Sequence, residues 1–298
     1  GTDFDPSSGP WNGKVKMFKN IGLDEHGEPI WSLEEDDLLN DDIGHNLAPF
    51  FADIDFDEDY DLFIGNFNGN VEYYENIGDK NAHNYIYSEN IENIDLSGYS
   101  TPTLIDLDND EDLDLLVGNM SGTIFYYSNI GDKFNYDFQF ISDSYNDINV
   151  NYRSNPKFYD YDLDNDVDLF IGTGYEGIIY YENIGTSSEP EYTLTDYLDI
   201  PKIGNNTSPA IYTSHEITGL ITGVSTGGMY FIPFQSNSTG DLNSDNSVNI
   251  FDIIILIEYI LFDNYSNLSF FYLDVNNDGA VNIIDVIYMV NLILNTSV

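Results

Sequence analysis

The chain contains no cysteine and few basic residues. Its 298 residues include 8 Lys and Arg against 53 Asp and Glu, which gives a formal net charge of -45 at pH 7. The absence of cysteine excludes a disulfide scaffold and a thiolate metal site, and it leaves the cellular compartment open. The scarcity of basic residues excludes nucleic-acid binding, because that binding depends on basic patches that neutralise phosphates.

Long hydrophobic runs are also absent. No segment approaches the ~18 apolar residues of a membrane span, and the apolar run from Ile253 to Ile257 ends at Glu258. Hydrophobic residues still make up 42% of the chain, which suffices for a folded core rather than a disordered acidic tail. We therefore expect divalent cations to neutralise the folded chain. Because it begins at Gly1 without a signal-like segment, we expect a processed or partial product.

The sequence repeats itself with a period of 53 or 54 residues, marked by an Asn-Ile-Gly tripeptide and by a proline. The tripeptides begin at Asn76, Asn129 and Asn183, and the prolines are Pro49, Pro102, Pro156 and Pro209. Each unit contains an apolar strand, an acidic loop, a strand such as Asp61 to Gly65, an aromatic strand such as Val71 to Glu75, and a less regular fourth strand. This pattern predicts a mainly β fold, a β-propeller-like array of about four to five four-stranded blades.

The repeats also predict the domain boundaries. Residues 1–234 form the propeller region, 235–240 a polar linker, and 241–298 a small α-helical domain. The predicted blades are 12–47 (partial), 48–100, 101–154, 155–207 and 208–234.

One of these blades is unfinished. Asn12 to Gly22 aligns with Asn68 to Gly78, so it is a third strand without its own first and second strands. An unfinished blade exposes a sheet edge that can recruit another strand. Either upstream blades are missing, or the termini close on each other imperfectly, or another subunit completes the sheet.

Three of the repeats carry five Asp at alternate positions. The loops are Asp53, Asp55, Asp57, Asp59 and Asp61, then Asp106, Asp108, Asp110, Asp112 and Asp114, then Asp160, Asp162, Asp164, Asp166 and Asp168. So many neighbouring carboxylates repel one another at neutral pH unless a cation lies among them. Closely spaced oxygen ligands suit Ca²⁺, which accepts about 6–8 oxygens. The alternative, a solvated acidic turn, does not explain why the register is kept in three copies.

The run Asp106 to Asp114, followed by Leu-Leu-Val-Gly, resembles the Asp-x-Asp-x-Asp-x-x-x-Asp loop of FG-GAP repeats, which are VCBS-like or integrin-α-type propeller repeats. The resemblance covers roughly residues 12–234. It implies that the first, third, fifth and ninth loop residues bind calcium through side-chain oxygens. It also implies that the seventh residues bind through their carbonyls; these are Asp59, Asp112 and Asp166.

Two departures from that family pattern stand out. The family often has glycine inside the loop, where this chain has Phe56, Glu58, Asn109, Glu111, Leu163 and Asn165. The unit that begins at Pro209 has lost its acidic residues and carries Thr213, His215 and Ile217 instead. We therefore expect three metal sites in the propeller and none in its last blade.

The C-terminal region consists of two copies of an acidic loop followed by an apolar helix. Oxygen-bearing residues occupy positions 1, 3, 5 and 12, which is the spacing of an EF-hand loop. With position 7, the predicted calcium-binding residues are Asp241, Asn243, Asp245, Ser247 and Asp252, then Asp274, Asn276, Asp278, Ala280 and Asp285. The segment resembles a dockerin domain, a calcium-dependent module that binds cohesins. The duplication argues against two accidental Asx-rich turns.

The resemblance to dockerins also implies a partner-binding surface. In dockerins the contacts lie at loop positions 10 and 11 and on the helix that follows. Those positions hold Ile250, Phe251, Ile283 and Ile284. Their side chains predict a largely apolar docking surface for a cohesin-like protein or for another copy of the chain.

No segment of the sequence resembles a catalytic centre. Its four histidines fall in different repeats without metal spacing, so we expect a non-enzymatic module. We predict an extracellular or cell-surface binding and assembly module that holds about five Ca²⁺, three in the propeller and two in the dockerin-like loops. Two alternatives stay open: a polysaccharide-active enzyme carried by a dockerin, and a subunit of a self-assembling filament.

A glycan ligand is a further prediction with an alternative. Each third strand carries a pair of tyrosines, such as Tyr73 and Tyr74, that could stack on sugar rings. Repeated aromatic pairs more often pack one blade against the next.

Overall fold

The computed structural model describes residues 13–23, 29–39, 41, 43–91, 96, 98–162, 164–195, 204–213, 218–234, 240, 242, 248–262, 273, 275–276 and 281–295. The fold is mainly β, a four-blade propeller arrangement followed by two helices, as the sequence predicted. None of the helices in these ranges is long and apolar enough to span a membrane.

Within each sheet, strands that are consecutive in the chain pair antiparallel. A two-stranded sheet contains β1 (Met17–Leu23) and β2 (Pro29–Glu35). The first blade contains β3 (Ala48–Ala52), β4 (Asp61–Gly65), β5 (Val71–Asn76) and β6 (Tyr85–Asn90). The second contains β7 (Thr101–Ile105), β8 (Asp114–Gly118), β9 (Ile124–Asn129) and β10 (Phe138–Ser142).

The third and fourth blades follow after a 3-10 turn at Tyr145–Asp147. The third contains β11 (Ser154–Tyr159), β12 (Asp168–Thr173), β13 (Ile178–Asn183) and β14 (Tyr192–Leu194). The fourth contains β15 (Ser208–Thr213), β16 (Thr218–Gly223) and β17 (Met229–Pro233). Within the described residues this last sheet has three strands.

Neighbouring blades meet through their apolar faces. The first strands contact one another in the order β3, β7, β11 and β15, and every residue of β4, β8 and β12 is buried. Tyr73 of β5 packs towards the second blade, in a cluster with Leu115, whereas Tyr74 packs in a cluster with Val15 from the N-terminal segment. The same division separates Tyr126 from Tyr127 and Tyr180 from Tyr181. The tyrosine pairs therefore pack between blades.

Each junction between neighbouring blades is also bridged by a hydroxyl group. The backbone N–H of Asn66 donates to Ser100 Oγ at 2.8 Å, and that hydroxyl donates to the carbonyl of Asn70. Ser154 and Thr207 make the equivalent bonds at the next two junctions. Gly65 allows this close approach, because a Cβ there would lie 2.0 Å from the Ser100 carbonyl oxygen. These bonds fix the turn between the second and third strands of each blade against the start of the next blade.

The N-terminal hairpin contacts both ends of the blade array. Val15 and Leu47 cluster with Leu62 of the first blade. On the other side, Asn20 Nδ2 donates to the hydroxyl of Tyr212 in the fourth blade, at 3.1 Å. This contact is the one expected if the termini close on each other.

The C-terminal helices α1 (Ile250–Phe262) and α2 (Ile283–Asn295) contact each other around a separate core. Leu256 and Met289 are fully buried in that core, with Leu273 between the two helices in the sequence.

Candidate functional site

The three acidic loops connect the first and second strands of the first three blades. In each loop, one carboxylate oxygen from the first, third and fifth Asp lies within 4.8 Å of the others. The three groups are Asp53, Asp55 and Asp57, then Asp106, Asp108 and Asp110, then Asp160, Asp162 and Asp164. The structure thus brings together three of the predicted ligands in each loop.

The first Asp of each loop organises the loop backbone. Oδ1 of Asp53 accepts the N–H of Asp57 at 3.1 Å, and its Oδ2 accepts the N–H of Glu58 at 3.2 Å. Asp106 accepts the equivalent two bonds in the second loop, and Asp160 accepts one of them in the third. Because the loop curls back onto its first residue, the third and fifth carboxylates face the same centre.

The residues that replace the family's glycines adopt glycine-like backbone conformations. Phe56 and Glu58 have φ values of 61° and 73°. Asn109, Glu111 and Asn165 are also left-handed, and Leu163 lies outside the described residues. A left-handed conformation costs a residue other than glycine about 1–2 kcal/mol. A bound cation would offset this strain, since it holds the loop in its curled shape.

The ninth Asp is buried and tied to the Asn-Ile-Gly motif. Asp61 Oδ1 accepts the backbone N–H of Asn76 at 2.7 Å, and the bond recurs at Asp114 and Asp168. The side-chain oxygen of Asn76 in turn accepts N–H groups of Gly78 and Asn84. The repeated Asn therefore positions the ninth carboxylate, a role that the sequence analysis missed although the motif itself was visible.

Some buried carboxylate oxygens of these loops accept no hydrogen bond from the part of the chain that the structure describes. These atoms are Asp59 Oδ1, Asp61 Oδ2 and Asp166 Oδ1. A buried ionised oxygen without a partner is costly, and buried charges in proteins are usually paired or coordinate a metal. The oxygen-only donor set and these oxygens fit Ca²⁺.

The same burial changes the acidity of the loops. Burial raises the pKa of Asp61 to about 7, with Asp55 adding to the effect and the Asn76 N–H opposing it. Burial, aided by Asp168, raises the pKa of Asp162 to about 8. The pKa values of Asp112, Asp114, Asp166 and Asp168 are raised to between about 6 and about 7, mainly by burial. Asp61, Asp162 and Asp166, with pKa values of about 7 to 8, are therefore partly protonated at neutral pH, and a bound cation would favour their ionised form.

The fourth blade differs from the first three. Thr213 is the last residue of β15, and His215 and Ile217 lie outside the described residues.

In the C-terminal loops, the structure describes three of the predicted calcium-binding residues: Asp252, Asn276 and Asp285. The other seven, Asp241, Asn243, Asp245, Ser247, Asp274, Asp278 and Ala280, lie outside the described residues.

The two final loop residues are fully buried and hold their loops in the same way. Asp252 accepts the N–H groups of Leu242 and Asn249, each at 2.8 Å. Asp285 accepts those of Asn276 and Asn282 at 3.2 and 2.8 Å. Each carboxylate thus closes its loop onto the start of the following helix.

Each helix begins at an asparagine cap, and the predicted partner residues follow it. Asn249 Oδ1 accepts the N–H of Phe251 at 2.9 Å, and Asn282 Oδ1 accepts that of Ile284 at 2.8 Å. The four predicted partner residues are 52 to 63% exposed: Ile250, Phe251, Ile283 and Ile284.

The exposed apolar surface continues along both helices, at equivalent positions on each. Ile254, Ile257 and Leu261 on α1 correspond to Ile287, Val290 and Leu294 on α2. All six are exposed, so the domain presents two equivalent apolar stripes, one on each helix.

Residues 239–294 match the family described as Dockerin type I domain. This segment is therefore a dockerin domain, as its resemblance predicted, and dockerin type I domains bind calcium and cohesin partners. The match does not extend to the propeller region. A comparison of the chain with curated proteins finds no match.

Proposed function

We propose that the protein is an extracellular, calcium-stabilised and non-catalytic assembly module, in which the dockerin domain attaches the propeller to a cohesin-like partner. The observation that carries this proposal is the dockerin match, together with two equivalent apolar stripes on the surface of that domain. The propeller is then the unit that the complex displays.

The stripes have the chemistry of a protein interface. Ile250, Phe251, Ile283 and Ile284 are all more than half exposed. Burying a large apolar side chain stabilises a complex by roughly 1.5–3 kcal/mol before ordering costs. Two such side chains on each stripe, with further apolar residues behind them, suffice for a stable complex on either helix.

The propeller loops extend the role of calcium beyond the dockerin domain. The first, third, fifth and ninth Asp of each loop would hold the ion, and the seventh would contribute its carbonyl. Calcium supplies charge neutralisation among these carboxylates and holds the strained loop backbone. Because the ligands must be deprotonated and the loop must be folded, part of the binding free energy becomes folding free energy.

Two of the histidines have structural contacts, which supports a non-catalytic role. His45 stacks on Phe67 with ring centroids 4.4 Å apart. His83 Nε2 lies 3.1 Å from Glu35 Oε1. His26 and His215 lie outside the described residues.

Capture of immobilised type I cohesin domains in calcium tests the docking role. The double variant F251D/I284D places a charge on both stripes and should abolish capture, while each single variant should retain it through the other helix. Ile21→Asp is the matched control, because Ile21 is equally exposed on the N-terminal hairpin. Capture by the double variant at the wild-type level would place the contact elsewhere.

A further inference from the structure

A polar cleft of about 530 Å³ lies between the N-terminal segment and the first blade. Its volume falls within the range of roughly 300–1,000 Å³ that is typical of small-molecule sites. The lining residues from the N-terminal segment are Asp41, Ile43 and Gly44. Those from the first blade are Asn66, Asn68, Asn70, Glu72, Tyr74 and Tyr87.

The cleft occupies the place where a complete blade would pack. Glu72, Phe125 and Ile179 each lie four residues before the Asn of their Asn-Ile-Gly motif, on the strand face that meets the preceding blade. Phe125 and Ile179 pack against that blade, whereas Glu72 lines the cleft. A carboxylate at this position suits an open polar cleft and would be costly against an apolar blade face. The first blade is therefore adapted to keep the cleft open.

The cleft offers both hydrogen-bond donors and hydrogen-bond acceptors. Among the described residues, no hydrogen bond is made by the side-chain amides of Asn68 and Asn70, each of which carries two donors and an acceptor. The Tyr74 hydroxyl donates to Asp41 Oδ2 at 3.4 Å, and the Tyr87 hydroxyl bonds to Glu72. These contacts orient the two carboxylates and leave them further acceptor capacity.

An aromatic surface lies beside these groups. Tyr87 is 52% exposed, and its ring meets Tyr74 edge-on with centroids 5.5 Å apart. The Tyr74 ring supports the Tyr87 ring from one side, so a ligand can stack against the Tyr87 ring from the solvent.

This combination excludes several ligand classes. No basic residue is found among the lining residues that the structure describes, and the chain has a net charge of -45, so the cleft repels anions. Asp41 and Glu72 are the acidic residues of the described lining, fewer than the three carboxylates that converge in each acidic loop, which argues against a cation site here. Among the described lining residues, Ile43 is the one large aliphatic residue, which is too little for an apolar ligand.

We propose that this cleft binds an uncharged carbohydrate, whose hydroxyl groups bond to Asn68, Asn70 and Glu72 while one face of a sugar ring stacks on Tyr87. Sugars match the site because they combine many hydroxyl donors and acceptors with an apolar C–H face. The inference deepens the proposed role of the propeller as the displayed unit and rests on it. Polysaccharides and the glycans of glycoproteins share this ring chemistry.

An array of neutral oligosaccharides tests the proposal on the full chain in calcium. One arm carries cello-, manno-, galacto- and chito-oligosaccharides, a second carries neutral N-glycans, and polygalacturonate is the anionic control. The two neutral arms distinguish polysaccharide from glycoprotein sources. We expect retention of at least one neutral class and no retention of polygalacturonate.

Substitutions of the cleft residues test whether the sugar binds in the cleft. N68A/N70A and Y87A should each weaken the retained sugar by about tenfold or more, the equivalent of ~1.4 kcal/mol. Glu72→Phe, which installs the residue of the second blade, should fill the cleft and abolish binding. Ser121→Ala changes the residue of the second blade that corresponds to Asn68, and it should leave binding unchanged.

Two results would overturn the proposal. One is that no neutral oligosaccharide is retained, or that polygalacturonate is preferred. The other is that N68A/N70A and Y87A melt and bind sugar like the wild type. Cohesin capture and calcium content, measured on the same preparations, show whether the proposed assembly function holds independently of this outcome.

Discussion

The first propeller loop and the two dockerin loops differ in the hydrogen bonds that their last carboxylate accepts. In the propeller, Asp61 accepts a backbone bond at one oxygen, and its other oxygen is buried without a hydrogen bond from the described residues. In the dockerin domain, both oxygens of Asp252 and of Asp285 accept backbone N–H groups. The equivalent second oxygens of Asp114 and Asp168 accept the Tyr126 hydroxyl and the Tyr161 N–H. The first propeller loop therefore depends most on the cation for charge compensation at its last carboxylate, whereas the dockerin loops are closed by two backbone hydrogen bonds each.

The largest expected difference is in the pH dependence of the stability of the propeller. The folded pKa values of Asp61 and Asp162, about 7 and about 8, lie above the unfolded value of 3.8. Between those values the folded chain holds more protons than the unfolded chain, so the stability of the metal-free protein falls as pH rises. In excess calcium the trend should reverse, because deprotonated ligands bind the ion.

Calorimetry at pH 5 and pH 8 measures this effect, with calcium removed on a chelating resin rather than by a pH-dependent chelator. We expect the melting temperature of the metal-free propeller to be lower at pH 8 and the gain from calcium to be larger there. A metal-free melting temperature that rises with pH would contradict the account.

Substitution of Asp285 should affect the dockerin domain alone. Asp285→Ala removes the acceptor of two buried N–H groups and should destabilise this domain by about 3 kcal/mol or more. Hydrogen exchange should show loss of protection in α2 with no change in the propeller. Asp285→Asn, which keeps one acceptor oxygen, should cost less, and equal losses in the two variants would argue against the hydrogen-bonding role.

Removal of the Asn76 side chain, beside the first propeller loop, should have a smaller effect on stability. Asn76→Ala removes the acceptor for Gly78 and Asn84 and should destabilise the first blade by about 2 kcal/mol. It should also weaken calcium binding in the first loop, because the turn that positions the Asn76 N–H against Asp61 loses its side-chain acceptor. Chemical denaturation and calcium titration measure both, with Asn81→Ala as the exposed control in the following turn. An unchanged calcium affinity would limit Asn76 to a role in the turn.

Backbone strain in the third loop gives the smallest effect. Asn165 has a φ of 74°, a conformation that asparagine and glycine adopt more readily than alanine. We expect Asn165→Ala to cost about 1 kcal/mol and Asn165→Gly to be nearly neutral. Equal effects in a denaturation series would show that the left-handed backbone carries no such cost.

Much of the architecture could be predicted because the repeat is regular. The strand predicted to begin at Val71 is β5, and the mainly β fold and the dockerin segment are confirmed. Because side chains alternate along a strand, the two tyrosines of each pair are expected on opposite faces of the blade.

The remaining features depend on contacts between distant residues. The bridge from Asn66 to Ser100 joins two blades, although a hydroxyl two residues before three of the repeated prolines was a visible signal. The cleft beside Glu72 lies next to the N-terminal sheet, which has two strands, β1 and β2, within the described ranges. The matching exposed stripes on α1 and α2 required knowledge of which helix faces the core.

Calcium stoichiometry tests the central claim most directly. Elemental analysis of the full chain after gel filtration in calcium, combined with titration calorimetry, should give about five ions per chain, three from the propeller and two from the dockerin domain. A variant with Asp55, Asp108 and Asp162 changed to Ala should retain about two. Fewer than three ions in the wild-type chain, or an unchanged number in the variant, would contradict the account.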